Sequence, residues 1–158
     1  MFQKTTRLLL LIGLALFLSE AASADGPYSF FPLTPCRIID TRGPVGPTGG
    51  PALSANTLRN FPVVNVNACG VPSTAKAVTF NITTIQATDA GDLRIFPYLS
   101  PVPLASVINF SPADFALANG AIIPIANIGG LDISVQTDMA PGSNGTVHLV
   151  VDVTGYFQ

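Results

Sequence analysis

The stretch TPCRIIDTR, residues 34–42, gathers a cysteine, two arginines and an aspartate around an Ile-Ile pair. On an extended strand, residues two apart point to the same side. Asp40 and Arg42 can therefore pair locally, or each can meet another strand. A second carboxylate, Asp152, lies among valines in VVDVTGYF and needs either an open, solvated face or a cationic partner. Arg37, Arg42 and Arg94 are available as that partner. Two carboxylates can carry out acid–base chemistry on glycosides, so Asp40 with Asp152 is the hydrolytic pair to consider. Structural pairing accounts for the same residues, because strand-borne charge in a chain only 10% charged requires a partner. On that reading Asp40 and Arg42 lock the first strand.

Other reactive groups are sparse. His148 is the only histidine. One histidine and two bridged cysteines do not make a zinc site, and no G-x-S-x-G stretch accompanies it. Asp89 and Asp92 flank Gly91 in a turn and Asp132 opens another strand, without the D-x-D-x-D-G spacing of a calcium loop. No metal and no cofactor is expected. Asn81 and Asn109 fall on candidate strands, where asparagine is disfavoured, and join the candidate ligand-contact or structural network of Asp40, Arg42, Asp152 and Arg94. Asn81-Ile-Thr83, Asn109-Phe-Ser111 and Asn144-Gly-Thr146 also match the glycosylation pattern, the second weakened by Pro112. With no Trp and only Tyr28, Tyr98 and Tyr156, aromatic rings for stacking sugars are few.

The elements that must position these groups read as all-β. Fourteen prolines and fourteen glycines interrupt helices throughout. Between them lie runs rich in Val, Ile, Thr and Phe at 37–41, 57–64, 75–87, 92–98, 105–110, 120–127, 131–137 and 145–157. About eight such runs indicate a single antiparallel β-sandwich, jelly-roll-like or Ig-like. Alternation places Val78, Phe80, Ile82 and Thr84 on one face and Thr79, Asn81, Thr83 and Ile85 on the other. It likewise separates Val147, Leu149, Val151 and Val153 from His148, Val150, Asp152 and Thr154. In the first strand it sets Ile38 with Asp40 and Arg42, and Ile39 with Arg37 and Thr41. Residues 88–92 read as a tight turn. Gly129-Gly130 and Asn144-Gly145 are hairpin dipeptides and suggest an antiparallel meander of the last three strands. Ser111 and Pro112 suggest a helical turn over 111–118. The Gly/Pro-rich segment 41–56 reads as a flexible surface excursion, with a binding loop as the alternative.

Residues 1–24 have the order of a secretory signal peptide: Lys4 and Arg7, an apolar run from Leu8 to Leu18, then Ala22-Ser23-Ala24 before cleavage at Asp25. The run is too short for a comfortable bilayer span, so residues 25–158 are expected as one exported domain with no membrane attachment. In an exported chain the two cysteines, Cys36 and Cys69, read as a disulfide. The balance is mildly acidic, net −2 for the whole chain, without a basic cluster. Nucleic acid is therefore excluded as a partner class.

Several stretches resemble a family of uncharacterised secreted bacterial domains, found alone or appended to other modules. They are FFPLTPCRIIDTR (30–42), ACGVPSTAKAVTFNIT (68–83), GDLRIFPY (91–98), SVINFSPADFALANGAIIPI (106–125) and HLVVDVTGYF (148–157). Its signatures are Pro-Cys-Arg-x-x-Asp-Thr-Arg and Asp-Val-x-Gly-Tyr-Phe. The resemblance implies a β-sandwich with a Cys36–Cys69 bridge and a surface or extracellular role, and it supplies no catalytic residues. The expected function is a non-enzymatic structural or adhesive module acting by association, with further copies of itself or surface glycans as partners. A carbohydrate-binding module and an extracellular hydrolase using Asp40 and Asp152 are the alternatives.

Overall fold

The computed structural model describes residues 26–158; the leader assigned to residues 1–24 lies outside them. Nine strands form two antiparallel sheets, and no helix occurs among the described residues. They are β1 (Phe30–Asp40), β2 (Leu53–Ser54), β3 (Thr57–Phe61), β4 (Ala77–Ile85), β5 (Gly91–Pro97), β6 (Ile108–Phe110), β7 (Ala116–Pro124), β8 (Ile133–Met139) and β9 (Thr146–Phe157). One sheet has the order β1-β9-β4-β7, with the two-residue β2 also on β9; the other has the order β3-β8-β5-β6.

Setting β2 aside, the first of the remaining strands pairs the last, the second the seventh, the third the sixth and the fourth the fifth. This is a long hairpin rolled over on itself, the jelly-roll arrangement of the sandwich. Only β5 and β6 are both consecutive and hydrogen-bonded. The expected meander of the last three strands is therefore absent: β7 pairs β4, β8 pairs β3 and β5, and β9 pairs β1, β2 and β4. Gly129-Gly130 does make a tight turn, with φ of 62° and 78° and an Ile128–Leu131 bridge. The strands leaving that turn nevertheless join different sheets. The segment carrying Asn144-Gly145 and the 88–92 turn cross between sheets in the same way.

Apolar alternation builds the core. Val78, Phe80, Ile82 and Thr84 from β4 face inward with Val147, Leu149, Val151 and Val153 from β9, all nearly solvent-free. They meet Phe61, Leu93, Ile95, Ile108, Phe110, Ile133 and Val135 of the second sheet. At about 25 cal/mol per Å² of apolar surface, this shared layer is the main source of stability. Cys36 and Cys69 form the disulfide, with a Cα–Cα distance of 5.5 Å, tying β1 to the segment ahead of β4.

Two local readings are corrected. Residues 111–118 form no helical turn: Ser111 N–H and Oγ–H both donate to Asp114 Oδ2, at 3.1 and 2.9 Å, and β7 begins at Ala116. Strict alternation also fails in β1. The register runs Arg37↔Asp152 and then Ile39↔Val151, so Ile38 is the extra residue of a β-bulge. Ile38 and Ile39 are both buried, and Arg37 comes around to the side of Asp40.

Candidate functional site

The bulge explains the polar network on β1. Arg37 stands opposite Asp152 across the β1–β9 ladder and grips it with two bonds, Nε to Oδ1 at 2.8 Å and Nη2 to Oδ2 at 3.0 Å. Its Nη1 lies 3.5 Å from Asp40 Oδ2. Asp40 in turn accepts from Arg42 Nε at 2.8 Å, Nη2 at 2.6 Å and the Arg42 backbone N–H at 3.1 Å. The hydrogen bonds from Arg42 hold the Asp40 carboxyl at about 2, well below its ordinary value. Bonding to carboxylates raises both Arg37 and Arg42. A two-carboxylate hydrolase needs one of its acids to hold a proton near neutral pH. Asp40 is pushed the opposite way, and Asp152 already has both oxygens on a guanidinium.

The other candidates do not converge on this network. Arg94 belongs to the second sheet, on β5. There its Nε lies 3.4 Å from Asp92 Oδ1 and 3.1 Å from Asp138 Oδ2, close enough for charge pairing but off the angle of a hydrogen bond to Asp138. Asn81 does sit beside Asp152 in register, on β4, and is exposed. Asn109, on β6, accepts from Ser106 Oγ at 3.0 Å. It borders a depression of about 330 Å³ with Asn119 and Leu117 of β7. Among the calcium candidates, Asp89 meets Ser143, Asp92 meets Arg94 and Asp132 is buried elsewhere. His148 Nδ1 is 3.1 Å from Thr41 Oγ1. That hydroxyl also accepts from the Leu149 N–H at 2.8 Å, joining β9 to the residue after β1. Tyr156 stacks on Phe31 at the end of β1, whereas Tyr98 follows β5 in the second sheet.

Two residues carry more of the architecture than their sequence context shows. Arg59, on β3, donates to the carbonyls of Gly46, Gly49, Gly50 and Pro51 at 2.7–3.2 Å and lies 4.7 Å over the Phe61 ring. Burial without a carboxylate partner lowers its pKa. The 41–56 segment is thus a folded strap, not a free excursion. It packs so closely that a Cβ on Gly49 would fall 2.1 Å from Pro44 O. Its Thr48 carbonyl accepts the Asp40 N–H at 2.9 Å, covering the end of β1. Asp132, 1% exposed, accepts the Val63 and Val64 N–H groups on Oδ2 at 2.6 and 2.9 Å and pins the chain after β3. A charged residue on a strand beside a glycine-rich run was the available signal for Arg59. For Asp132 there was none beyond its position at a strand start.

The opposite edge of the same sheet is β7. Its sequence, ALANGAIIP, contains no charge, and it pairs β4 over nine residues without a register break. The flanking bonds from Ile125 N–H to Lys76 O and from Gln86 N–H to Phe115 O set the phase of that ladder. In an antiparallel pair, alternate residues exchange both backbone bonds. Odd-numbered residues of β7 therefore face β4, and the backbone groups of Ala116, Ala118, Gly120 and Ile122 face outward. All four residues are exposed, and none of these groups has a partner among the described residues.

No family model and no curated protein matches the chain.

Proposed function

We propose that the protein is a non-enzymatic, extracellular or cell-surface module that acts by association, in a structural or adhesive role. The observation that carries this reading is how its polar groups are used. The reactive residues are spent on one another at β1, while β7 keeps a long row of unpartnered backbone groups on an uncharged strand. Such an edge is a template for strand pairing. The Cys36–Cys69 bridge supports an oxidising compartment, in keeping with the leader-like residues 1–24 and with the resemblance to secreted bacterial domains. No helix among the described residues is long and apolar enough to cross a membrane.

Expression of the full chain in a bacterial host tests the reading. The expected product is exported, starts at Asp25, carries the oxidised bridge, and forms oligomers or binds cell surfaces in light scattering, electron microscopy and adhesion assays. A reduced protein retained in the cytoplasm would overturn the extracellular part. A strictly monomeric protein that adheres to nothing would overturn association. Selective hits on a glycan array would move the role to carbohydrate binding.

A further inference from the structure

We infer that β7 is a dimerisation edge that pairs antiparallel with β7 of a second copy, across a two-fold axis at Asn119, joining the two first sheets into one continuous sheet. The inference rests on the association reading and specifies its partner and register.

The phase of the strand decides the register. Outward backbone groups belong to Ala116, Ala118, Gly120 and Ile122, so hydrogen-bonded pairs between copies must join even-numbered residues. With the axis at residue 119, Ala116 meets the partner's Ile122 and Ala118 meets the partner's Gly120. All four donors and all four acceptors of each edge are then satisfied. Moving the axis to residue 120 brings Ala116 against Pro124, which has no N–H to give. Moving it to residue 118 leaves Ile122 facing a residue outside the strand.

Side-chain sizes agree with the same register. On the outer face, Ile122, 61% exposed, lies opposite Ala116 of the second copy. On the inner face, Leu117, 39% exposed, lies opposite Ala121. Each large residue meets a small one, and β7 carries no charge to oppose its own copy. A two-fold pairing places the same strand on both sides, so this large-to-small match is a property of β7 against itself. A foreign peptide has no such constraint. The pairing is isologous and closed, giving a dimer rather than a filament.

Light scattering on the secreted, disulfide-intact chain tests the inference, together with four variants. Ala118→Pro removes only an outward-facing N–H, which an edge strand tolerates. The expected result is loss of the dimer with a melting temperature close to that of the monomer. Should that variant fold poorly, Ile122→Lys tests the same edge by placing a charge against Ala116 of the second copy. Asn119 faces its own counterpart at a non-hydrogen-bonded site, with Cα atoms about 4.5 Å apart, within reach of a disulfide. Asn119→Cys is therefore expected to give a covalent dimer on mild oxidation, and Leu117→Cys is not. Cross-linking of Leu117→Cys in place of Asn119→Cys would overturn the register. A dimer or polymer unchanged by Ala118→Pro and Ile122→Lys would overturn the β7 pairing but leave the association reading standing. A monomer that binds nothing would overturn both.

Discussion

The two edges of the first sheet are finished in opposite ways. β1 is interrupted twice in register, carries Pro32 and Pro35, and bears Arg37 and Asp40. Neighbouring chain covers its outward groups: Thr48 O takes the Asp40 N–H, and Asn67 Nδ2 donates to the Arg37 carbonyl at 3.1 Å. A disulfide fastens it to residue 69. β7 has a single proline, Pro124, at its last position, and neither a register break, a charge nor a disulfide. Prolines, bulges, charges and covering loops are the usual means of preventing strand addition at an edge. Within one sheet, the residues that looked reactive in the sequence serve to close one edge, and the residues that looked inert leave the other open.

The contrast can be broken most severely at the bridge. Replacing Cys36 and Cys69 together with Ala is expected to cost about 2–5 kcal/mol, the usual range for a native disulfide in a small domain. Denaturant unfolding measures the loss, and amide exchange should speed up in β1 before β7. Equal acceleration at both edges would show that the bridge does not serve β1 in particular. A smaller loss is expected for Arg59→Met, which keeps apolar contact with Phe61 and removes the donors to four carbonyls. About 1–3 kcal/mol is expected, with new proteolytic cleavage between residues 43 and 51. An uncut strap would show that its own turns hold it.

Weaker still is the Asp40–Arg42 pair, which is solvent-accessible and contributes below about 1 kcal/mol. Its signature is in pH. Because Asp40 is held at about 2 against an ordinary 3.8, the unfolded chain takes up the proton first. The stabilisation is complete above about pH 4 and disappears as pH falls toward 2. In Arg42→Ala, carboxyl NMR should show Asp40 titrating higher, nearer its ordinary value. An unshifted titration would assign the effect to Arg37. Least of all, Ile122→Thr should leave unfolding within about 0.5 kcal/mol of the parent while weakening association. A large stability change there would mean that β7 is needed for the fold itself.

Much of the sandwich was legible because alternation is local. The two faces of β4 and β9, and the bridge between the only two cysteines, follow from residue order. The pairing was not legible, because in a rolled hairpin most partners are distant in sequence. Gly129-Gly130 shows the limit, since the dipeptide determines a turn and says nothing about where the next strand goes. The first run was read over 37–41, whereas β1 begins at Phe30, because on an edge the missing N–H groups of Pro32 and Pro35 cost little. At the candidate site, Asp40 with Arg42 could be read from their spacing. The choice of Arg37 for Asp152 could not, because it depends on one extra residue at Ile38.

The pairing of first strand with last also has a consequence in time. β9 lies between β1 and β4, so the first sheet lacks an inner strand until Thr146–Phe157 has been made. β1, although it precedes the other strands, has no neighbour to bind until then. Joining β1 to β9 brings together segments far apart in sequence, an arrangement that slows folding. β4 and β7 both precede β9 in sequence, so the uncharged edge strand and its partner are made before the sheet can be completed.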